Sequence, residues 1–202
     1  MVKRRLNRNS VAFIITLALI MLGFLFSGTR GLSSLRSEAV GNFFDGMADD
    51  GTGRIIIPVN IYDDLIEYAA HAANLATAGA TLGIGGQVDG HISALRSAHS
   101  AFLSILNDTT RHNFNASEIF VAYAHLHALA QRLHTYAEQR SGEWESPIFT
   151  HTWSSLTGAS IRINNFSNLY NSSATEFNNT LNRFPAFILR VFGFVRPLEL
   201  FQ

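Results

Sequence analysis

A chain of 202 residues, 47% of them hydrophobic and with a formal net charge of zero, can bury one sizeable core and has little left for a second domain. The charge is polarised: Lys3, Arg4, Arg5 and Arg8 precede the first hydrophobic stretch, which leaves 11 basic residues against 15 acidic ones from residue 11 onward. That mildly acidic remainder lacks the basic face a phosphate backbone needs, which argues against nucleic acid as a partner, and the absence of cysteine excludes disulfides, thiolate nucleophiles and thiolate metal sites.

The first element in chain order is the stretch Val11 to Phe26, VAFIITLALIMLGFLF, which carries no charge. Counted from Ser10 to Gly28 it reaches roughly 28 Å as a helix, close to the hydrocarbon thickness of a bilayer, and it is expected to be a transmembrane anchor. A cleaved signal peptide is the competing reading, but FLFSGTRG lacks the small residue at −3 that cleavage after Ser27 or Gly28 requires. Four basic residues precede the stretch and only Arg30 and Arg36 follow closely, so the N-terminus is expected in the cytoplasm and the rest outside it. The expected localisation is single-pass in a plasma or inner membrane, with an extracytoplasmic domain. Sequons at Asn107, Asn115, Asn165, Asn171 and Asn178 would matter in a eukaryotic secretory pathway; in an Asn- and Ser-rich bacterial chain they arise by composition.

Beyond the anchor, LRSEAVGNFF offers Leu35, Val40, Phe43 and Phe44 for packing, and the Gly-, Asp- and Pro-containing stretch from Asp45 to Asn60 predicts a turn. A second helix is predicted from near Pro58 or Asn60, with Ile61, Leu65, Ala69, Ala72 and Ala76 on one face and Asp63, Asp64 and Glu67 near its start as solvent-facing caps. AGATLGIGGQVDG, with Gly79, Gly83, Gly85, Gly86 and Gly90, reads as a flexible connection; no Lys-Ser/Thr follows these glycines, so it is no P-loop. Val88, Ile92, Leu95, Phe102 and Leu106 predict a third helix ending near Asp108. Phe120, Tyr123, Leu126, Ala130, Leu133 and Ala137 predict a fourth. After a break at Pro147 a long last helix is predicted from about Phe149 to Phe184, with Trp153, Leu156, Ile163, Phe166, Tyr170, Phe177 and Leu181 at its inner spacing. No alternating strand pattern competes. The expected fold is all-α: an N-terminal transmembrane helix followed by an up-and-down antiparallel bundle of about four helices. The expected division is a basic tail over 1–10, an anchor over 11–28, a bundle domain over 29–184 and an apolar tail over 185–202.

The pairs Tyr170-Asn171, Phe177-Asn178 and Phe184-Pro185 and the triplet Phe192-Gly193-Phe194, with Phe201 near the end, fall at a spacing that resembles the C-terminal signature of the LemA family. The two asparagines, seven residues apart, share one helix face, from which their amides can bond to a neighbour. IPVNIYDDLIEYAAHA from Ile57 is similar to a diverged start of that family's second helix, so the likeness spans nearly the whole chain, although specific motifs lie only in about the last forty residues. Residues 156–161, LTGASI, depart from the charged family stretch that contains Thr-Glu-Asn. The resemblance implies a membrane-anchored helical bundle of a family without an established enzymatic role, and speaks to fold more than to function.

No motif commits the chain to a reaction. Of His125, His127 and His134 on the fourth predicted helix only His127 and His134 share a face, two turns or about 10.5 Å apart, His91 and His99 on the third are eight residues apart with the same difficulty, and there is no HExxH, so no metal site or cofactor is expected. Asp49, Asp50, Asp63 and Asp64 read as caps, and Ser154 and Ser155 beside His151 lack a nucleophile turn and a third triad member. The expected role is therefore non-enzymatic: a scaffold or interaction module at the cell envelope with a membrane or envelope protein as partner. The alternative is a lipid-facing module acting through the tail, with Phe187, Phe192 and Phe194 dipping into the interface and Arg190 and Arg196 reaching phosphates.

Overall fold

A computed structural model of the chain describes residues 16, 23, 31–46, 60–82, 87–140, 146–183 and 186–202. The regular elements among the described residues are all helices, with no strand among them, so the all-α expectation holds. The basic tail and nearly all of the expected anchor lie outside them; Thr16 and Gly23 are helical, and among the described residues no helix is long and apolar enough to cross a membrane. Asp49, Asp50, Pro58 and Gly83–Gly86 also lie outside.

Residues 31–44 form α1. Val40 and Phe43 are buried, with Leu35 and Phe44 packed at the edge of the core. Asn60 caps the next helix: its side chain accepts the Asp63 N–H at 2.7 Å and starts α2, Ile61–Thr81. All five apolar positions predicted for α2 are buried. α3, Gln87–Asp108, and α4, Ala116–Glu138, bury the stripes predicted for them, apart from Phe120, which is half-buried, and Ile119 joins the α4 stripe. α5 runs from Pro147 to Leu181, with Ser146 as its cap and Pro147 in its first turn, where the missing N–H leaves no helical bond unmade. α6, Ala186–Val191, is a single short helix before an extended end.

Two of the predicted breaks are helical instead. Gly79 lies inside α2 and Gly90 inside α3, so the glycine-rich connection is confined to fewer residues than its composition suggested. At Gly79 the reason is packing: a Cβ there would stand 3.3 Å from Leu133 Cδ2 and 3.6 Å from Ile92, so the bare backbone lets α3 and α4 approach α2.

α2, α3, α4 and α5 alternate in direction. The start of α2 meets the end of α3, where the Tyr62 hydroxyl donates to the Leu106 carbonyl at 3.2 Å. Asp64 near the start of α2 pairs with Arg162 in mid-α5, whereas Leu82 after its end shares a cleft with Phe149 near the start of α5. α5 is the long member: 35 residues extend about 52 Å, more than the other three helices require. Its N-terminal half completes the four-helix bundle, and its C-terminal half carries α1 and the tail. α1 runs antiparallel to it, because Asn42 donates to Ser173 Oγ at 2.8 Å while Leu32 shares a cleft with Phe177. Phe43 joins the two levels, with its ring 4.6 Å from Phe114, 5.6 Å from Tyr170 and 6.0 Å from Phe201.

Candidate functional site

The family-like residues of α5 meet at one place. Asn178 donates through Nδ2 to the Leu198 carbonyl at 2.8 Å and accepts the Leu198 N–H on Oδ1 at 2.9 Å. Asn171 does the same with Phe201, at 3.0 and 2.7 Å. Between them the Tyr170 hydroxyl donates to the Glu199 carbonyl at 2.5 Å. Seven helical residues rise about 10.5 Å, and three extended residues span about 10 Å, so the two amides on one face of α5 match the backbone of residues 198 and 201 in register. The last residues thus lie along α5 as an antiparallel strap, and Leu198 and Phe201 bury their side chains in the core. Phe177 is fully buried beneath it, and Tyr170 is buried deeply enough that its hydroxyl is held well above the usual range, mainly by desolvation.

The triplet closes α6. Gly193 has φ +73°, its N–H donates to the Arg190 carbonyl at 3.0 Å, and the Phe194 N–H reaches back to the Leu189 carbonyl at 2.9 Å. This is the Schellman arrangement, which requires a left-handed residue at the position glycine occupies. Leu189 and Ala186 face the core, while the opposite side of the tail stays exposed: Phe187 by 48%, Val191 by 61%, Phe192 by 69% and Phe194 by 77%. Arg190, which bonds to Asn182, and Arg196 are exposed on the same segment. The apolar tail is therefore divided, half core and half surface. Phe184 and Pro185 lie outside the described residues.

α1 completes this edge, which the sequence did not indicate. Leu32, Ser33 and Arg36 from α1 and Phe194 and Arg196 from the tail line a cleft of about 430 Å³.

A second polar group lies in the bundle. Asp64, expected to cap α2 in solvent, is only 3% exposed and accepts from Arg162 Nε at 2.7 Å, while Arg162 Nη2 reaches Glu67 at 2.7 Å. Asp64 is buried because α5 packs over the first turns of α2 and brings Arg162 across. Burial raises the Asp64 carboxyl despite the guanidinium, and Asp64 Oδ2 has no hydrogen-bond partner among the described residues. Burial also acts on Glu67, but its bonds to Arg162 and His71 outweigh it and hold its carboxyl low. Deeper in, Tyr68 Oη and His127 Nδ1 are 2.8 Å apart, and Tyr123 Oη and Ser160 Oγ are also 2.8 Å apart. His134 stacks on Trp153 with centroids 4.0 Å apart. His127 and His134 are thus each engaged by an aromatic residue, and among the described residues no three His, Asp or Glu side chains are grouped to hold a metal. His151 and Ser154 are exposed.

Set against models of protein families, curated proteins and solved structures, the chain matches none.

Proposed function

We propose that this chain is a LemA-like, membrane-tethered interaction module: residues 11–28 hold it in the bilayer, and the α2–α5 bundle binds an envelope protein outside the cytoplasm without catalysing a reaction. The observation that carries this reading is the opposed direction of α1 and α5. The apolar stretch precedes α1 by only a few residues in sequence, and the long α5 carries the start of α1 near its C-terminal end and the α2–α4 bundle along its N-terminal half, beyond the end of α1. The signature residues support the family likeness because they act together, as a ladder and a helix stop. Four basic residues before the apolar stretch support a cytoplasmic N-terminus.

Photo-crosslinkers at the exposed Val121 and Ile161 of the bundle, compared with one at Phe194, test the module. A discrete protein adduct from the bundle sites that persists in mild detergent is expected. Bundle sites that yield no protein adduct in intact cells remove the scaffold reading. A second reading, a lipid-facing module, is favoured by the exposed aromatic side of the tail.

A further inference from the structure

We infer that the edge formed by α1 and the tail is a docking surface for an anionic bilayer, on which Phe187, Val191, Phe192 and Phe194 enter the interface while Arg36, Arg190 and Arg196 contact lipid phosphates. This rests on the tether proposed above. It goes further by bringing α1 into the site and by giving the tail's exposed half a defined occupant.

Three observations carry it. The first is position. Leu32 lies four residues beyond Gly28, so no more than about 14 Å of chain separates the cleft from the end of the apolar stretch. Headgroups occupy roughly 5–8 Å on each side of the hydrocarbon, so an edge this near the anchor lies within reach of them. The second is the division of the tail. Leu189, Leu198 and Phe201 are buried and the asparagine ladder fixes the strap, so the four exposed apolar residues are not a loose end that has yet to find the core. Their ridge is built: Gly193 reverses the chain between Phe192 and Phe194 and leaves their ring centroids 6.4 Å apart. Large exposed aromatic groups of this kind mark contact surfaces. The third is charge. Arg190 and Arg196 flank the ridge and Arg36 faces the cleft beside Ser33, whereas Glu199 is the only acidic residue of the tail after Leu181. Aromatic side chains interleaved with arginine suit a surface with an apolar floor and phosphates above it.

The absence of native cysteine makes the test direct. The full chain is placed in nanodiscs of phosphatidylcholine, with or without phosphatidylglycerol, and carries an environment-sensitive dye at Phe192→Cys or at the exposed α4 position Thr135→Cys. The expected result is quenching of the residue-192 dye, and not the residue-135 dye, by a headgroup spin label, strongest in anionic discs. Arg36→Gln, Arg190→Gln and Arg196→Gln should each lower the docking constant about five-fold. A chain that stays in the disc with residue 192 as open to water as residue 135 overturns the inference and leaves the tether standing. Loss of the chain from the disc in alkaline wash removes both. Shielding of residue 192 in native membranes but not in pure lipid assigns the edge to a protein partner and overturns the lipid docking.

Discussion

Asn178 and Leu198 are joined by two hydrogen bonds, one in each direction between a side-chain amide and a backbone peptide. Asn171 repeats the arrangement with Phe201, so the end of the chain is sewn to α5 as a strand is sewn into a sheet. A net hydrogen bond is worth about 1 kcal/mol. Asn178→Ala should therefore cost about 1–3 kcal/mol in urea unfolding and should speed amide exchange at Leu198. Asn178→Asp keeps the acceptor but turns a carboxylate toward the Leu198 carbonyl, and should cost at least as much. Unchanged exchange at Leu198 in both variants would show that the strap is held by its side chains alone.

Arg162 bridges the buried Asp64 and the exposed Glu67. Arg162→Ala leaves a buried carboxylate uncompensated; because Arg162 is more than one third exposed, the loss should fall below that of a fully buried pair, at about 2–3 kcal/mol. Glu67→Gln should stay within about 1 kcal/mol. Equal urea midpoints for the two variants would contradict this division of roles.

Phe177 is fully buried and its neighbour Glu176 is exposed. Phe177→Ala should lose about 3–5 kcal/mol and Glu176→Ala no more than about 0.5 kcal/mol, measured as thermal and urea shifts. Similar shifts would mean that the α5 face is wrongly oriented.

Burial lowers the basicity of His99, His127 and His134; Glu138 opposes it at His134. A lowered folded-state value means that the unfolded chain binds more protons just below the ordinary histidine range. Stability is then full above about pH 6.5 and falls as pH drops through that window, by at most about 1.4 kcal/mol per pH unit for each such group. Urea midpoints measured from pH 7.5 to 5 should fall, and less so in His127→Gln, which has one of these titrating imidazoles fewer. A flat profile would contradict the lowered basicity of these half-buried histidines.

The helices and most of their inner stripes are legible because apolar residues at three- and four-residue spacing are a local signal: Leu65, Leu95, Leu126 and Ile163 all lie where the period puts them, whereas Trp153 and Phe166 of the α5 stripe are only half-buried, at the edge of the core. Asn171 and Asn178 were legible as one face, but their partner was not, since an extended strap has no period to announce it. Asp64 reads as a solvent-facing cap because its burial depends on Arg162, distant in sequence, and nothing near Asp64 in the chain marks that pairing. Composition alone marks Gly79 as a breaker, whereas the close approach of Leu133 is what calls for it. The cleft between Arg36 and Arg196 could emerge only once α1 and the tail had been set against α5.

The proposed tether is tested most directly by single thiols placed in the cysteine-free chain, one at Asn9→Cys and one at Thr135→Cys, each treated in intact cells with a membrane-impermeant maleimide. The account predicts that residue 135 is labelled at once, residue 9 only after the membrane is opened, and that both proteins remain in the membrane fraction after alkaline carbonate wash. Labelling of residue 135 only after permeabilisation, or extraction of the chain by carbonate, would contradict it.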